Sequence, residues 1–325
     1  MKDLFDAVMD GDSELLAELI EDGAELEVED DDAMTPLIVA AQHGKTACLQ
    51  RLIDARANIE ARNSAGYTAL AIAAGNGHCD CVRSLFSAGA NVEATIDTGA
   101  TALVLAAVHG HAAALQLMLE INANVNATDN EGKTALYWAA AKGSHTCLEG
   151  LLAANANVNV RNSKDHTTAL VVAAHGGYPR CVHLLVNARA SLEVSGDNGL
   201  TPLLAAAFEG HVPCAQILIG AQADLEARDH HSRTALVWAA ANGHTECARL
   251  LLDARAILEA RDYKADTPLL AAAGGGHAPC VQLLLEARAN TQARDVDGKT
   301  ALMLASEEGH TVCMQHLAHS QGNMF

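Results

Sequence analysis

Aromatic residues are scarce in this chain. Phenylalanine, tryptophan and tyrosine make up 3% of its 325 residues, although half of all residues are hydrophobic. Small and aliphatic side chains must therefore form the buried contacts, which favours closely packed helices. No stretch approaches the roughly 20 apolar residues of a membrane-spanning helix, and the N-terminal stretch has acids where a secretory signal needs an apolar core. We expect an intracellular, cytoplasmic protein without membrane insertion, although nothing in the sequence separates cytoplasm from nucleus.

Basic residues are outnumbered by acidic ones. The chain has 21 lysines and arginines against 40 acids, a net charge of −19. Residues 1–33 hold 14 acids and one lysine, so this segment carries −13 and leaves −6 for residues 34–325. Such a surface repels phosphate backbones, which argues against a nucleic-acid partner. The acidic end either steers a basic partner or forms the polar outer face of a terminal unit, and we favour the second interpretation.

Catalytic signatures are also missing. The sequence has no G-x-G-x-x-G after a strand, no Walker A lysine, no H-E-x-x-H and no G-x-S-x-G. We therefore predict a protein that is not an enzyme, with no catalytic residue, no cofactor and no metal. A metal-dependent enzyme built from scattered acids and histidines is the least favoured alternative.

A repeat with a period of 33 residues is present. A leucine follows two residues after each of nine recurring threonines, and a glycine follows nine residues after each. One gap, between Thr134 and Thr168, is 34 residues long. The threonines are Thr35, Thr68, Thr101, Thr134, Thr168, Thr201, Thr234, Thr267 and Thr300. Each threonine can cap a helix and each glycine can end it, which predicts a helix, a tight turn and a second helix per repeat.

The period and the pattern T-[AP]-L-x-x-A-A-x-x-G-H resemble the ankyrin repeat family. The resemblance implies an all-α solenoid of about ten stacked helix–turn–helix units with short β-turn fingers, in one domain spanning residues 1–325. Residues 1–33 would be an acidic N-terminal capping repeat and residues 34–299 internal repeats of about 33 residues. Residues 300–318 would be a C-terminal capping repeat whose second helix ends near Leu317, and residues 319–325 a tail. The extra residue near residues 163–167 should enlarge one finger.

One departure concerns the end of the second helix, where the family usually has glycine. Gly23 and Gly89 keep it, whereas the other repeats have different residues. A left-handed conformation at such a residue costs on the order of 1 kcal/mol. The replacements are Arg56, Asn122, Asn155, Arg189, Gln222, Arg255 and Arg288.

Eight of the nine cysteines lie thirteen residues after a threonine, at a position that alanine takes in the remaining repeat. We interpret this row as small core residues without disulfides, and Cys79 as the exposed, reactive exception. Five of the eight belong to a G-H-x-x-C motif, for example His78 and Cys81. A zinc site needs four donors around one metal, so we favour hydrogen bonds from these histidines to neighbouring backbone.

The resemblance implies a non-catalytic protein–protein interaction module, acting as adaptor, scaffold or inhibitor through a concave surface of fingers and inner helices. We expect partner proteins of unknown identity and a monomeric chain. Aromatic and arginine side chains tend to anchor interfaces, and Trp138 and Trp238 are assigned to packing. The predicted partner-binding residues are Tyr67, Leu200, Phe208, Arg233 and Tyr263.

The alternative function is that of a modification substrate. Asparagines follow the closing alanine of five repeats, and asparagines at this place in proteins of the resembling family can be hydroxylated. The chain would then act as a modification sink or regulator. The five are Asn58, Asn91, Asn124, Asn157 and Asn290.

Overall fold

The computed structural model describes residues 3–322, with side chains as far as Ser320. The chain divides into two compact units, residues 1–164 and residues 165–325, and each is described by itself. Within the described residues there are twenty α-helices and no β-strand, apart from two isolated bridges, Thr95 to Thr101 and Thr128 to Thr134. The all-helical prediction is confirmed.

The first unit contains five helix pairs. They are α1 (Leu4–Asp10), α2 (Ser13–Glu21), α3 (Pro36–Gln42), α4 (Thr46–Asp54), α5 (Ala69–Gly75), α6 (Cys79–Ser87), α7 (Ala102–His109), α8 (Ala112–Glu120), α9 (Ala135–Ala141) and α10 (His145–Ala153).

The second unit also contains five pairs. They are α11 (Ala169–His175), α12 (Pro179–Asn187), α13 (Pro202–Glu209), α14 (Val212–Gly220), α15 (Ala235–Ala241), α16 (Thr245–Asp253), α17 (Pro268–Gly274), α18 (Ala278–Glu286), α19 (Ala301–Glu307) and α20 (Thr311–Gly322).

The recurring threonines begin the first helix of each pair. In eight of the nine repeats the threonine hydroxyl accepts the amide N–H of the residue three positions later, as predicted for an N-cap. Thr168 makes no such bond, and its buried Oγ1 has no partner among the described residues. Thr168 follows the finger with the extra residue, whose turn spans residues 163–165 and is one residue longer than its neighbours.

In every repeat but the last, both turns use left-handed backbone. The glycine after the first helix has φ between 64° and 77° in all nine repeats, which confirms its predicted role. The residue after the second helix is left-handed even where glycine is absent, for example Arg56 at 68° and Arg255 at 71°. The residues that replace glycine therefore adopt the same left-handed conformation as Gly23 and Gly89, at a cost in conformational free energy.

Small residues form the contacts between neighbouring repeats. Within each unit every first helix packs on the first helix of the next repeat, and every second helix on the next second helix. The paired alanines of the first helices, such as Ala73 and Ala74, have no exposed surface. The eight repeated cysteines are at most 1% exposed and all nine cysteines are free thiols. Rows of small buried side chains thus permit close approach of neighbouring helices.

The last helix is longer than predicted. Helix α20 continues to Gly322, so the predicted end near Leu317 is too early. Within it, the Ser320 hydroxyl donates to the Leu317 carbonyl. In the other repeats a left-handed residue and a buried alanine turn the chain back onto the core. The last repeat has Gln321 and Gly322 there, so the helix runs on. The predicted tail lies outside the described residues from 323 onward.

Candidate protein-binding surface

The connections between repeats form short finger turns. In six of them an aspartate or asparagine Oδ1 accepts the amide N–H groups of the residues two and four positions later. Fingers are also joined to each other, since the Asn130 amide donates to the Thr98 carbonyl and the Tyr263 amide to the His231 carbonyl. These bonds stabilise the backbone of the fingers, from which the surface side chains project.

Fingers and first helices share one side of each unit, which we call the finger face. In the first unit this face contains a cleft of about 880 Å³ between the fingers and helices α1, α3, α5 and α7. A second cleft of about 570 Å³ follows it along the same face. Tyr67, Leu105 and His109 line both clefts. Tyr67, one of the predicted binding residues, is half-buried and lies where the two clefts meet.

In the second unit Phe208, Arg233 and Trp238 form one group, the aromatic cluster. The ring of Phe208 contacts the ring of Trp238 edge-on at 4.7 Å between centroids. The Arg233 guanidinium carbon lies 4.0 Å from the Trp238 centroid, a cation–π distance. The Trp238 indole N–H donates to Asp229 Oδ2 at 3.1 Å, and Arg233 Nε lies 3.7 Å from the same oxygen. Two of the predicted binding residues are therefore brought together.

Tyr263 lies on the next finger and is 55% exposed. Together with Arg233 it lines a smaller cleft of about 270 Å³ above α15 and α17, and Asp266 lies in the same wall. Leu200 is half-buried in an earlier finger, where its amide donates to Asn198 Oδ1. No described contact joins Leu200 to the aromatic cluster. The five predicted residues thus occupy the finger faces of two different units.

The cleft beside Tyr263 contains a carboxyl group with unusual protonation. Burial, with the charges of Asp262 and Asp295 acting in the same direction, raises the pKa of Asp266 to about 6. Lys264 acts in the opposite direction. One carboxyl oxygen of Asp266, Oδ1, is buried without a hydrogen-bond partner in the described part of the chain.

Trp138 and Trp238, which the sequence predicts to be packing residues, are both only half-buried and lie on the finger face. Trp138 repeats the arrangement of Trp238: its indole N–H donates to Asp129 Oδ2, and the Lys133 ammonium lies 4.8 Å from its ring centroid. The sequence signal is D-x-x-x-[KR]-T-A-L-x-W, found at residues 129–138 and 229–238. The shared spacing of aspartate, base and tryptophan would have marked both tryptophans as members of the surface.

Comparison with known proteins settles the family. The sequence profile described as "Ankyrin repeats (3 copies)" matches six overlapping segments that cover nearly the whole chain: residues 4–96, 90–162, 151–229, 170–262, 220–294 and 255–324. The chain belongs to the ankyrin repeat family. Ankyrin repeats are in general protein–protein interaction modules, and the fold is typically non-catalytic.

Solved structures agree with this assignment. The crystal structure of the human ASB11 ankyrin repeat domain is similar to this chain, with a TM-score of 0.62 and 29% sequence identity. The similarity covers 68% of this chain and 98% of that one. No protein of curated function matches the sequence. None of the described helices is long and apolar enough to cross a membrane.

The histidines of the G-H-x-x-C motifs bond to the preceding ankyrin repeat. The Nε2 atoms of His78, His211, His244, His277 and His310 lie 2.9–3.1 Å from a carbonyl oxygen near the end of that repeat's first helix. Each Nε2 must carry the proton to donate this bond, so the backbone interpretation is confirmed. Across the described residues, no group of three or more histidines, cysteines or acids is arranged to hold a metal ion.

The eight repeated cysteines are buried, and burial raises the thiol pKa of seven of them. Burial raises the pKa of Cys214 and of Cys247 to about 11. Because the thiolate is the nucleophilic form, these thiols are poor nucleophiles at neutral pH. Cys79 is partly exposed, whereas the other eight cysteines are buried. Its position agrees with the prediction of one accessible thiol; its reactivity stays a prediction.

The five asparagines proposed for hydroxylation are exposed. Each Oδ1 accepts the amide N–H two residues later, at 3.0–3.1 Å, and so stabilises the turn after the second helix. The side chains are accessible because they are exposed. An enzyme that extends this segment must first break the hydrogen bond that stabilises the turn.

Proposed function

We propose that this ankyrin repeat chain is a non-catalytic, cytoplasmic and monomeric module that binds partner proteins through its finger faces, as adaptor, scaffold or inhibitor. The aromatic cluster carries the proposal, because it gathers Phe208, Arg233 and Trp238 into one half-buried group. Tyr263 extends this surface as a largely exposed ring on the next finger. Aromatic rings and arginine are the residue types that dominate binding free energy in protein interfaces.

The cluster is also held in place before any partner arrives. Trp238 is fixed by its bond to Asp229, and Arg233 lies over the indole with a side chain only 21% exposed. A side chain that is already ordered loses little conformational entropy on binding. The cluster should therefore contribute more binding free energy than an equally large set of mobile surface residues.

The test begins with partners isolated by proximity labelling in the native cell and then purified. Isothermal titration calorimetry compares wild-type protein with Arg233→Ala and Tyr263→Ala. We expect each substitution to weaken binding at least about fivefold, the effect of roughly 1 kcal/mol at an interface anchor. Phe208→Ala and Tyr67→Ala complete the series, with thermal melting as a check because Phe208 packs on Trp238.

Ile257→Ala is the matched control. Ile257 is an exposed apolar side chain, 55% accessible, in the turn after α16, and it lines none of the three clefts on the finger faces. Its removal should leave affinity unchanged. If Ile257→Ala weakens binding as much as Arg233→Ala and Tyr263→Ala do, the finger face is not the binding surface.

The alternative function remains asparaginyl hydroxylation, favoured by the exposure of Asn58, Asn91, Asn124, Asn157 and Asn290. Intact-mass analysis of protein from its native cell separates the two functions. A species heavier by one oxygen atom, mapped to one of these asparagines, would support the alternative. Protein of unmodified mass would count against it.

A further inference from the structure

The two clefts on the finger face of the first unit are lined by acidic side chains but by no described lysine or arginine. Their lining includes the carboxyl groups of Asp30, Asp32, Asp97, Asp129 and Glu131. The cleft beside Tyr263 in the second unit differs, because Arg233 and Lys264 line it. The finger face of the first unit is therefore acidic along both clefts.

Two of these carboxylates are available to a partner. Asp30 and Asp129 point into their own fingers, where Oδ1 accepts two backbone amides. Glu131 is paired with Lys133 and Lys164. Asp32 and Asp97 are exposed, and no described ion pair involves either of them. Both lie on finger tips at the edge of the clefts.

Apolar side chains form part of the floor of the larger cleft, which Asp32 also lines. Met9 is 50% exposed, and the half-buried side chains of Phe5, Tyr67 and Ile72 line the same cleft. Gly75, at the end of α5, leaves room in the floor. A methyl group added there would meet only Leu105 at 3.5 Å and His109 at 3.9 Å, both ordinary contacts. The larger cleft therefore combines apolar side chains in its floor with Asp32 at its edge, and Asp97 lies at the edge of the adjoining cleft.

We propose that the finger face of the first unit binds a basic polypeptide segment in which lysines or arginines flank bulky apolar residues. The apolar residues lie on Met9, Ile72 and the space above Gly75, and the cations pair with Asp32 and Asp97. The charge of −13 on residues 1–33 attracts such a segment from a distance and makes its association salt-sensitive. This inference rests on the proposed protein-binding function and names the chemistry of one partner.

The probe is a fluorescein-labelled synthetic peptide of about 15 residues, made of leucine and lysine in a helical amphipathic pattern. Fluorescence anisotropy measures its binding to the full chain. Two matched peptides replace every leucine by serine or every lysine by glutamate. We expect the leucine–lysine peptide to bind, the serine peptide to bind at least tenfold more weakly, and the glutamate peptide not to bind.

Two pairs of variants locate the binding site. Gly75→Leu fills the cleft and should weaken peptide binding at least tenfold, whereas Gly75→Ala should leave it nearly unchanged. Asp32→Lys combined with Asp97→Lys should also weaken binding at least tenfold. Its control, Asp54→Lys with Glu120→Lys, makes the same charge change on the second helices, where both residues are exposed. If Gly75→Leu fails to fold, the comparison between the two charge-reversal variants tests the inference by itself.

Three outcomes would overturn the inference. They are no binding of the leucine–lysine peptide, equal binding of the serine peptide, and equal losses in the two charge-reversal variants. The last outcome would mean attraction by net charge alone. The proposed function is tested separately, with native partners and Arg233→Ala. If that binding is lost while the peptide result is negative, only the basic-segment inference fails.

Discussion

At the scale of single residues, the glycine after most of the first helices has two roles. It adopts a left-handed φ, and its lack of a side chain leaves room for the ring of a histidine from the next repeat. A methyl group added at Gly77 would lie 2.7 Å from His111 Nδ1, and similar contacts occur at Gly44, Gly210 and Gly276. At Gly110 the next repeat has Ser144 instead, and the nearest atom is 3.6 Å away. The G-H pair of the repeat is therefore a contact between repeats.

Gly77→Ala should destabilise the protein more than Gly110→Ala. Both glycines are left-handed, at 77° and 76°, so the conformational part of the cost is the same, about 1 kcal/mol. Only Gly77→Ala also forces a contact with a ring, which adds about 1–3 kcal/mol of overpacking. Urea unfolding of both variants measures the difference. Replacing His111 by serine in the Gly77→Ala protein should remove the extra part, and a failure to do so would contradict the contact.

Asp266 gives a prediction about pH. Its pKa is raised to about 6 in the folded protein against 3.8 for the free group, so the folded state binds the proton more tightly than the unfolded state. Stability contributed by this carboxyl is therefore present at low pH and is lost as pH rises from about 4 to above 6. Asp266→Asn should be more stable than wild type at pH 7, and the difference should shrink towards pH 4.

Thermal melting of both proteins from pH 4 to pH 8 checks this. Taking the difference between the two proteins removes the titration of every other group. A difference in melting temperature that stays constant across this range would mean that Asp266 has an ordinary pKa.

At the scale of helices and turns, most of the fold could be predicted from the sequence. Thr234 and Gly243 mark the ends of the first helix by their own backbone chemistry, and Cys247 is recognisable as core because alanine can replace it. The left-handed turns at Arg56 and Arg255 could not be read from the residues. Their conformation is set by Ala57 and Ala256, whose amides donate back to Leu52 and Leu251 across each turn.

The proposed binding surface was harder to predict than the helices. Composition singled out Phe208, Arg233 and Tyr263 because interfaces favour such residues, but spacing within one repeat did not show that Trp238 joins them. Contacts between repeats decide this, since Phe208 reaches Trp238 from the preceding repeat. Likewise, the repeat pattern predicts a turn after the second helix of every repeat, whereas α20 continues to Gly322 without one.

At the scale of the whole molecule, the repeat of α19 and α20 differs from the repeats inside the second unit, because among the described helices it packs on one neighbouring repeat only. Met303 in α19 is 48% exposed, whereas Leu270 at the same position of the preceding repeat is 1% exposed. A repeat protein is held together by contacts between adjacent repeats, so a terminal repeat has only one such interface. Helices α19 and α20 should therefore open at a lower free energy than the repeats inside the second unit.

The nine thiols can report this order. We expect Cys79 to react with iodoacetamide at once, Cys313 at low urea concentrations, and Cys247 and Cys280 only when the second unit unfolds. Cys313 is as buried as Cys247, each 1% exposed, so static accessibility alone predicts no difference between them. Pulsed alkylation at each urea concentration, read by peptide mass spectrometry, measures the protection of each cysteine. Rates in fully unfolded protein provide the reference for intrinsic reactivity. Simultaneous loss of protection at Cys313 and Cys247 would show that α19 and α20 unfold together with the rest of their unit, because cooperativity between repeats then exceeds the deficit of the missing interface.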